Sequence, residues 1–88
     1  MSAPSAQIDQ AVIDFLTQYS PGPVPGLDED LFATGRVNSL FAMQLLTFLE
    51  KNFQITLAPE DLDLRNFATV GKITGFVLRK QAQAVGNA

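Results

Sequence analysis

Between Gln7 and Tyr19, the apolar residues Ile8, Val12, Phe15, Leu16 and Tyr19 recur every three or four positions, with Asp9, Gln10, Asp14 and Gln18 between them. That spacing puts the apolar set on one face of an amphipathic helix. The Ser-Pro-Gly-Pro-Val-Pro-Gly run that follows stops it, because proline lacks an N–H and clashes with the preceding turn. No period is visible from Ser20 to Val37. Three prolines and two early glycines stiffen the first part of this connection, while Leu27, Leu31 and Phe32 offer anchors to the second. A connection of more than about 12 residues without regular structure needs anchoring or a function. A brief turn over Asp28–Phe32 is expected to dock those anchors.

The helical period returns at Ser39 and holds to Asn52. Met43, Leu46, Leu49 and Phe53 make one apolar series, with Ala42, Leu45 and Leu49 beside it, so the inward stripe combines both. Phe41, Gln44, Thr47, Lys51 and part of Phe48 fall on the outer side. Pro59, followed by Glu60, Asp61, Leu62 and Leu64, opens a short helical segment whose acids suit the positive helix end. A last helix is expected from a Thr69 cap to about Gln81, with Val70, Ile73, Phe76, Val77 and the Lys80 stem on its period. Gly71 and Gly75 each cost that helix about 1 kcal/mol relative to alanine, at a spacing that also suits close packing. The prediction is an all-α fold: helix, long connection, helix, short helix, helix. Phe15, Met43, Leu46, Leu49, Phe53, Ile73 and Phe76 are its core candidates.

Length and composition narrow the function. Eighty-eight residues, 47% of them apolar, suit one small domain with a modest core. The expected boundaries are a flexible N-terminus at 1–6, a folded domain over 7–82 and a flexible end at 83–88. With no cysteine and no histidine, the chain offers no disulfide, thiol nucleophile, cysteine-based zinc site or ordinary neutral-pH base. An independent catalyst is therefore disfavoured, and no metal site is expected. No basic leader and no run near the length of a membrane span is visible, which makes a cytoplasmic monomer the default reading. Charge is uneven. From Asp28 to Asp63, seven acids stand against Arg36 and Lys51, whereas Arg65, Lys72, Arg79 and Lys80 follow with no acid. A negative middle disfavours nucleic acid and suits a basic protein surface.

The chemistry concentrates at Gly35-Arg36-Val37-Asn38-Ser39-Leu40, just where the second helix begins. Asn38 and Ser39 are both good helix caps, and as caps they need mean nothing more. In context, however, the stretch resembles the acyl carrier protein family, peptidyl carriers included. That family's pattern is glycine, a variable residue, an aliphatic residue, aspartate, a modified serine and an aliphatic residue. Asp30-Leu31-Phe32, Phe53-Gln54-Ile55 and Phe67-Ala68-Thr69-Val70 extend the likeness over roughly Ile8 to Lys80. The resemblance implies a small four-helix carrier-protein bundle with a long first connection and a short third helix. It also implies 4'-phosphopantetheine joined to Ser39 by a Mg-dependent phosphopantetheinyl transferase, flanked by Gly35, Val37, Asn38 and Leu40, on a protein that is itself no enzyme. Asn38 departs from the family's aspartate; it keeps the cap and lacks the charge.

The resemblance further implies a partner surface. In the family the second helix is usually acidic, whereas here it has Glu50 as its single acid. Leu40, Phe41, Gln44 and Thr47 are the expected contacts along it, flanked by Asp28, Asp30, Glu60 and Asp61. The stretch Gly35 to Leu45 looks most like discrete carriers of unusual polyketide extender units, such as hydroxy-, methoxy- or aminomalonyl groups. Their expected partners are an acyl-loading enzyme, tailoring dehydrogenases, and an acyltransferase or ketosynthase of a megasynthase, in polyketide or antibiotic biosynthesis. The alternatives are a stand-alone peptidyl carrier loaded with an amino acid by an adenylation enzyme, and a helical adaptor in which Ser39 only caps.

Overall fold

The computed structural model describes residues 5–19 and 22–86; Ser20, Pro21 and the outermost residues of the expected flexible ends lie outside this range. Among the described residues three α-helices carry the fold: α1 (Ser5–Tyr19), α2 (Ser39–Phe53) and α3 (Val70–Gly86). The expected short third helix is a single 3₁₀ turn, Pro59–Asp61, followed by a second 3₁₀ turn, Leu64–Phe67, that the sequence pattern did not indicate. The four-helix bundle is thus corrected to three helices and two turns. The reason lies in two carboxylates. The Asp61 carboxylate, which a longer helix would leave pointing outward, accepts the Ala58 N–H at 2.8 Å and the Lys80 amine at 2.7 Å. Two residues on, Asp63 accepts the Arg65 N–H at 2.9 Å and starts a new turn.

The core is one cluster. Ile8, Val12 and Leu16 of α1 and Val70, Ile73, Phe76 and Val77 of α3 are buried, and these two helices form the principal pair. α2 adds Ala42, Leu45, Leu46 and Leu49. Burying a side chain of this size stabilises the fold by roughly 1.5–3 kcal/mol. Thr74 is buried with them and donates its hydroxyl to Asp9 of α1. α3 starts as expected, the Thr69 hydroxyl accepting the Lys72 N–H at 3.0 Å, but runs on past Gln81 to Gly86. α2 ends at Gln54, which takes a left-handed conformation with φ 54°.

Three core expectations need correction. Met43 is 57% exposed, while Phe15 and Phe53 are only half-buried against the cluster. The buried stripe of α2 is centred on Ala42, Leu45, Leu46 and Leu49, so Met43 lies about 100° round the helix on one flank and Phe41 a similar angle away on the other.

The long connection is tied down by backbone. Leu31 is buried, and its N–H reaches the Ala68 carbonyl at 2.7 Å while its carbonyl accepts Val37 N–H at 3.0 Å. The Asp30 carboxylate accepts the N–H groups of Phe32 and Ala33, closing the expected turn. Leu27 anchors through its carbonyl instead of its exposed side chain, accepting the Gly71 N–H at 3.0 Å. A Cβ on Gly71 would sit 3.3 Å from that oxygen, so this glycine serves close approach.

Candidate functional site

Two residues compete for the cap at the start of α2, and the structure separates them. Asn38 is the cap: its backbone is extended, and Oδ1 accepts the Phe41 N–H at 2.8 Å. Ser39 is the first helical residue. It is exposed, and among the described residues its hydroxyl has no hydrogen-bond partner. The cap that would otherwise consume a serine hydroxyl is supplied by its neighbour, which leaves Oγ available for other chemistry.

The approach to this site is shaped by Gly35 and Val37. Gly35 has φ 79°, a left-handed conformation that favours glycine, and its N–H closes the turn onto Phe32 O at 3.2 Å. Val37 is buried and pins the chain two residues before Ser39. Arg36 donates Nη1 to the Pro23 carbonyl at 2.7 Å, tying the proline-rich stretch to the same loop. No acid lies in the first turn of α2. The site is therefore an exposed hydroxyl beside the positive end of a fifteen-residue helix, with no carboxylate to oppose a negative group there.

Grooves leave the site on either side of α2. On the α1 side, a groove of about 270 Å³ is bordered by Tyr19, Asn38, Leu40, Phe41 and Gln44. It shares Tyr19 and Gln44 with a second groove of about 620 Å³, walled by Phe15 and Phe48 and reaching Lys51. On the other side, a groove of about 280 Å³ begins one turn further along α2, at Met43, and runs to Pro59 and Leu62.

Of the expected surface residues, Leu40 (73% exposed), Gln44 and Thr47 do face solvent. Phe41 does not stand out on an outer face. It is half-buried, with its ring 5.4 Å from Phe15 and 5.6 Å from Tyr19, because α1 lies against that flank of α2. Phe15 and Phe48 stack at 4.4 Å and continue the cluster. Sequence reading missed this pairing; Phe15 and Tyr19, one turn apart at the end of α1, were its available signal. Asp28 and Glu60 are exposed. The Asp30 carboxylate is engaged by its own loop. Asp61 is set apart from an exposed partner-facing acid, since its side chain is 18% exposed and ion-paired with Lys80. The hydrogen bond from Lys80, aided by the Ala58 N–H, holds the Asp61 carboxyl below the usual carboxylate range. Asp63, hydrogen-bonded by the Arg65 side chain and backbone, is lowered to about 2. Among the described residues no helix is long and apolar enough to cross a membrane.

A family model described as a phosphopantetheine attachment site matches residues 7–77. The chain is also similar to the D-alanyl carrier protein of Lactococcus lactis subsp. lactis (strain IL1403), 38% identical over 55 residues that span 62% of this chain and 70% of the relative. The D-alanyl carrier protein of Lactococcus lactis subsp. cremoris (strain MG1363) is 39% identical over 54 residues, 61% of this chain and 68% of its own length. These relatives overturn the likeness to carriers of hydroxy-, methoxy- or aminomalonyl extender units. The expected megasynthase acyltransferase, ketosynthase and tailoring dehydrogenases fall with it, as does the assignment to polyketide or antibiotic biosynthesis. The physical reason is that Gly35 to Leu45 encodes a turn, a cap and a buried stripe, which position a serine and do not distinguish its cargo.

Proposed function

We propose, from the premise that this chain belongs to the phosphopantetheine attachment-site family, that Ser39 is its attachment residue and that it carries an amino acid, D-alanine, for an ATP-dependent activating enzyme. Family membership makes the chain a non-catalytic carrier with phosphopantetheine on a serine. The observation that carries the choice of serine is the division of labour at the helix start, where Asn38 caps and Ser39 is left exposed.

The residues present fit the group. Ser39 offers an unengaged oxygen, and the start of α2 offers backbone N–H groups to a phosphodiester, an arrangement worth roughly 0.3–1 kcal/mol when exposed. Ser39 Oγ attacks the coenzyme A phosphorus next to the pantetheine; the new O–P bond forms as the pyrophosphate link breaks, and adenosine bisphosphate leaves with the electron pair. A serine with no histidine in the chain is a poor nucleophile, so its proton goes to a base of the partner transferase. When bound, the group supplies the thiol on which an acyl group is held as a thioester. The chain's own contribution is to keep Ser39 exposed on a rigid helix, with Gly35 and Val37 fixing the loop that leads to it. Leu40, Gln44 and Thr47 are the solvent-facing residues of α2 that the transferase and the activating enzyme would meet.

The cargo assignment rests on the D-alanyl carrier relatives and agrees with the amino-acid carrier alternative of the sequence reading. It is tested by incubating the loaded carrier with ATP and a D-alanine-activating enzyme. Mass gain with D-alanine, and little with L-alanine or with hydroxy acids, is the expected result. Transfer of malonyl-type units in preference to D-alanine would overturn the assignment.

A further inference from the structure

The bases that follow Asp63 stand in a stretch without an acid, and Arg65, Lys72 and Arg79 among them border one groove of about 810 Å³ along α3. This groove shares no lining residue with the three beside α2, and Ser39, its cap and its approach loop have no part in it. Much of its polar lining is already engaged. Arg65 closes on Asp63 at 2.7 Å, so those two charges offset each other. The Thr69 hydroxyl is taken by the Lys72 N–H, and the Gly71 N–H by the Leu27 carbonyl. The Lys72 amine and the Arg79 guanidinium are left over. Both residues are exposed, and among the described residues neither side chain makes a hydrogen bond or an ion pair. Gly75 lies between them on the same face of α3, one turn from each. A Cβ on Gly75 would stand 3.6 Å from Arg79 Nη1, so the guanidinium folds back over the bare backbone, in the direction of Lys72. Asp61, whose carboxyl also feels the Arg79 charge, is bonded to Lys80. Two cations are thus directed to one groove with no acid bonded to either.

We propose that this groove docks an acidic polypeptide segment of a partner protein, at a place separate from Ser39. A carboxylate between Lys72 and Arg79 makes charge-assisted hydrogen bonds to both, and the planar guanidinium can hold it with two parallel N–H groups. The Asp28 carboxylate decides the class of partner. It is exposed in the same lining and accepts no hydrogen bond among the described residues. A nucleic-acid backbone or an anionic membrane brings only acceptors and negative charge, which Asp28 repels. A peptide brings backbone N–H groups as well as carboxylates, so Asp28 and the two cations are each given a partner. The groove is also within the size range of recognition pockets. A segment held here leaves the start of α2 open to an enzyme, whether or not Ser39 is modified.

The test titrates the full, isotopically labelled chain with a capped peptide of alternating glycine and glutamate, and with its glycine–glutamine counterpart, reading backbone amide shifts. The expected result with the glutamate peptide is saturable shifts centred on Asn66, Thr69, Lys72 and Gly75, and none at Ser39. The glutamine peptide should bind about tenfold more weakly, and added salt should weaken the glutamate peptide. Lys72→Gln combined with Arg79→Gln should weaken the glutamate peptide by about fivefold or more, whereas Lys51→Gln on α2 leaves it unchanged. Equal binding of the two peptides, shifts as large around Lys51 as along α3, or full affinity in the double variant overturns the proposal. Vesicles of phosphatidylglycerol and phosphatidylcholine provide the remaining arm. If they bind the chain through Lys72 and Arg79 while the glutamate peptide gives no shifts, the proposal is overturned in favour of a membrane surface.

Discussion

At the start of α3, the Thr69 hydroxyl accepts the N–H of Lys72; at the start of α2, the Asn38 amide oxygen accepts that of Phe41, and the serine hydroxyl beside it is left over. Both helices leave the same orphan donors, and both satisfy one with an uncharged side chain. The approaches differ as well. α3 is entered under the Leu27 carbonyl, with Gly71 letting the two backbones meet, whereas α2 is entered through Gly35 at positive φ with open space around it. One helix start is closed into the fold and the other is presented. The Ser39 hydroxyl is left unengaged because its neighbour makes the cap, and on the proposed reading that frees it for attachment.

The largest effect expected from this contrast is on loading. Ser39→Ala should lose attachment of the arm completely, and Thr69→Ala should retain it, as read by intact mass. Next comes Phe41→Ala, which should lower unfolding stability by roughly 2 kcal/mol in urea titrations, since it removes a half-buried ring stacked on Phe15. A loss near zero would return Phe41 to the outer face that helical periodicity had suggested.

The caps should then cost alike. Asn38→Ala and Thr69→Ala are each expected to destabilise by about 1 kcal/mol, while Ser39→Ala stays within about 0.5 kcal/mol. If Ser39→Ala costs as much as Asn38→Ala, the separation of cap from presented hydroxyl is wrong.

The smallest effect concerns acid. Neither cap titrates, so acid sensitivity should arise between the two helices, at Asp61 and Asp63. Both carboxyls sit below their ordinary value of 3.8, held down by Lys80 and Arg65 respectively. A folded value below the unfolded one means that their stabilisation is complete above the unfolded value and fades as pH falls through the folded one. Asp61→Asn should therefore flatten the decline in stability below about pH 4. Asn38→Asp should do the reverse, adding about 0.3–1 kcal/mol at neutral pH that is lost on acidification. Thermal unfolding at pH 7 and pH 3 checks both signs.

Much of this molecule can be read from spacing. The burial of Ile8, Val12 and Leu16 in α1, the Thr69 cap and the buried residues of α3 follow from apolar periodicity and cap chemistry, whereas Tyr19, on the same predicted face of α1, is exposed; Leu31 is marked as an anchor by its apolar character alone. The failures have a shared cause. Phe41 and Met43 lie on opposite flanks of the α2 stripe, and spacing alone treats them nearly alike; α1 covers the first, while the 57–62 segment leaves the second exposed. The fourth helix failed because the Asp61 carboxylate bonds Ala58 and reaches Lys80, nineteen residues on, a contact that local sequence does not encode. At the site, residue types marked Asn38 and Ser39 equally as caps. Choosing between them needed the Phe41 N–H to be located.

The central claim is that the presented hydroxyl is the one modified. Its direct test is peptide mapping by mass spectrometry after treatment with coenzyme A, Mg²⁺ and a broad-specificity transferase. The prediction is a single phosphopantetheine on the peptide containing Ser39, and none on the Ser39→Ala protein. Modification at any other side chain, or its persistence in that variant, would contradict the account.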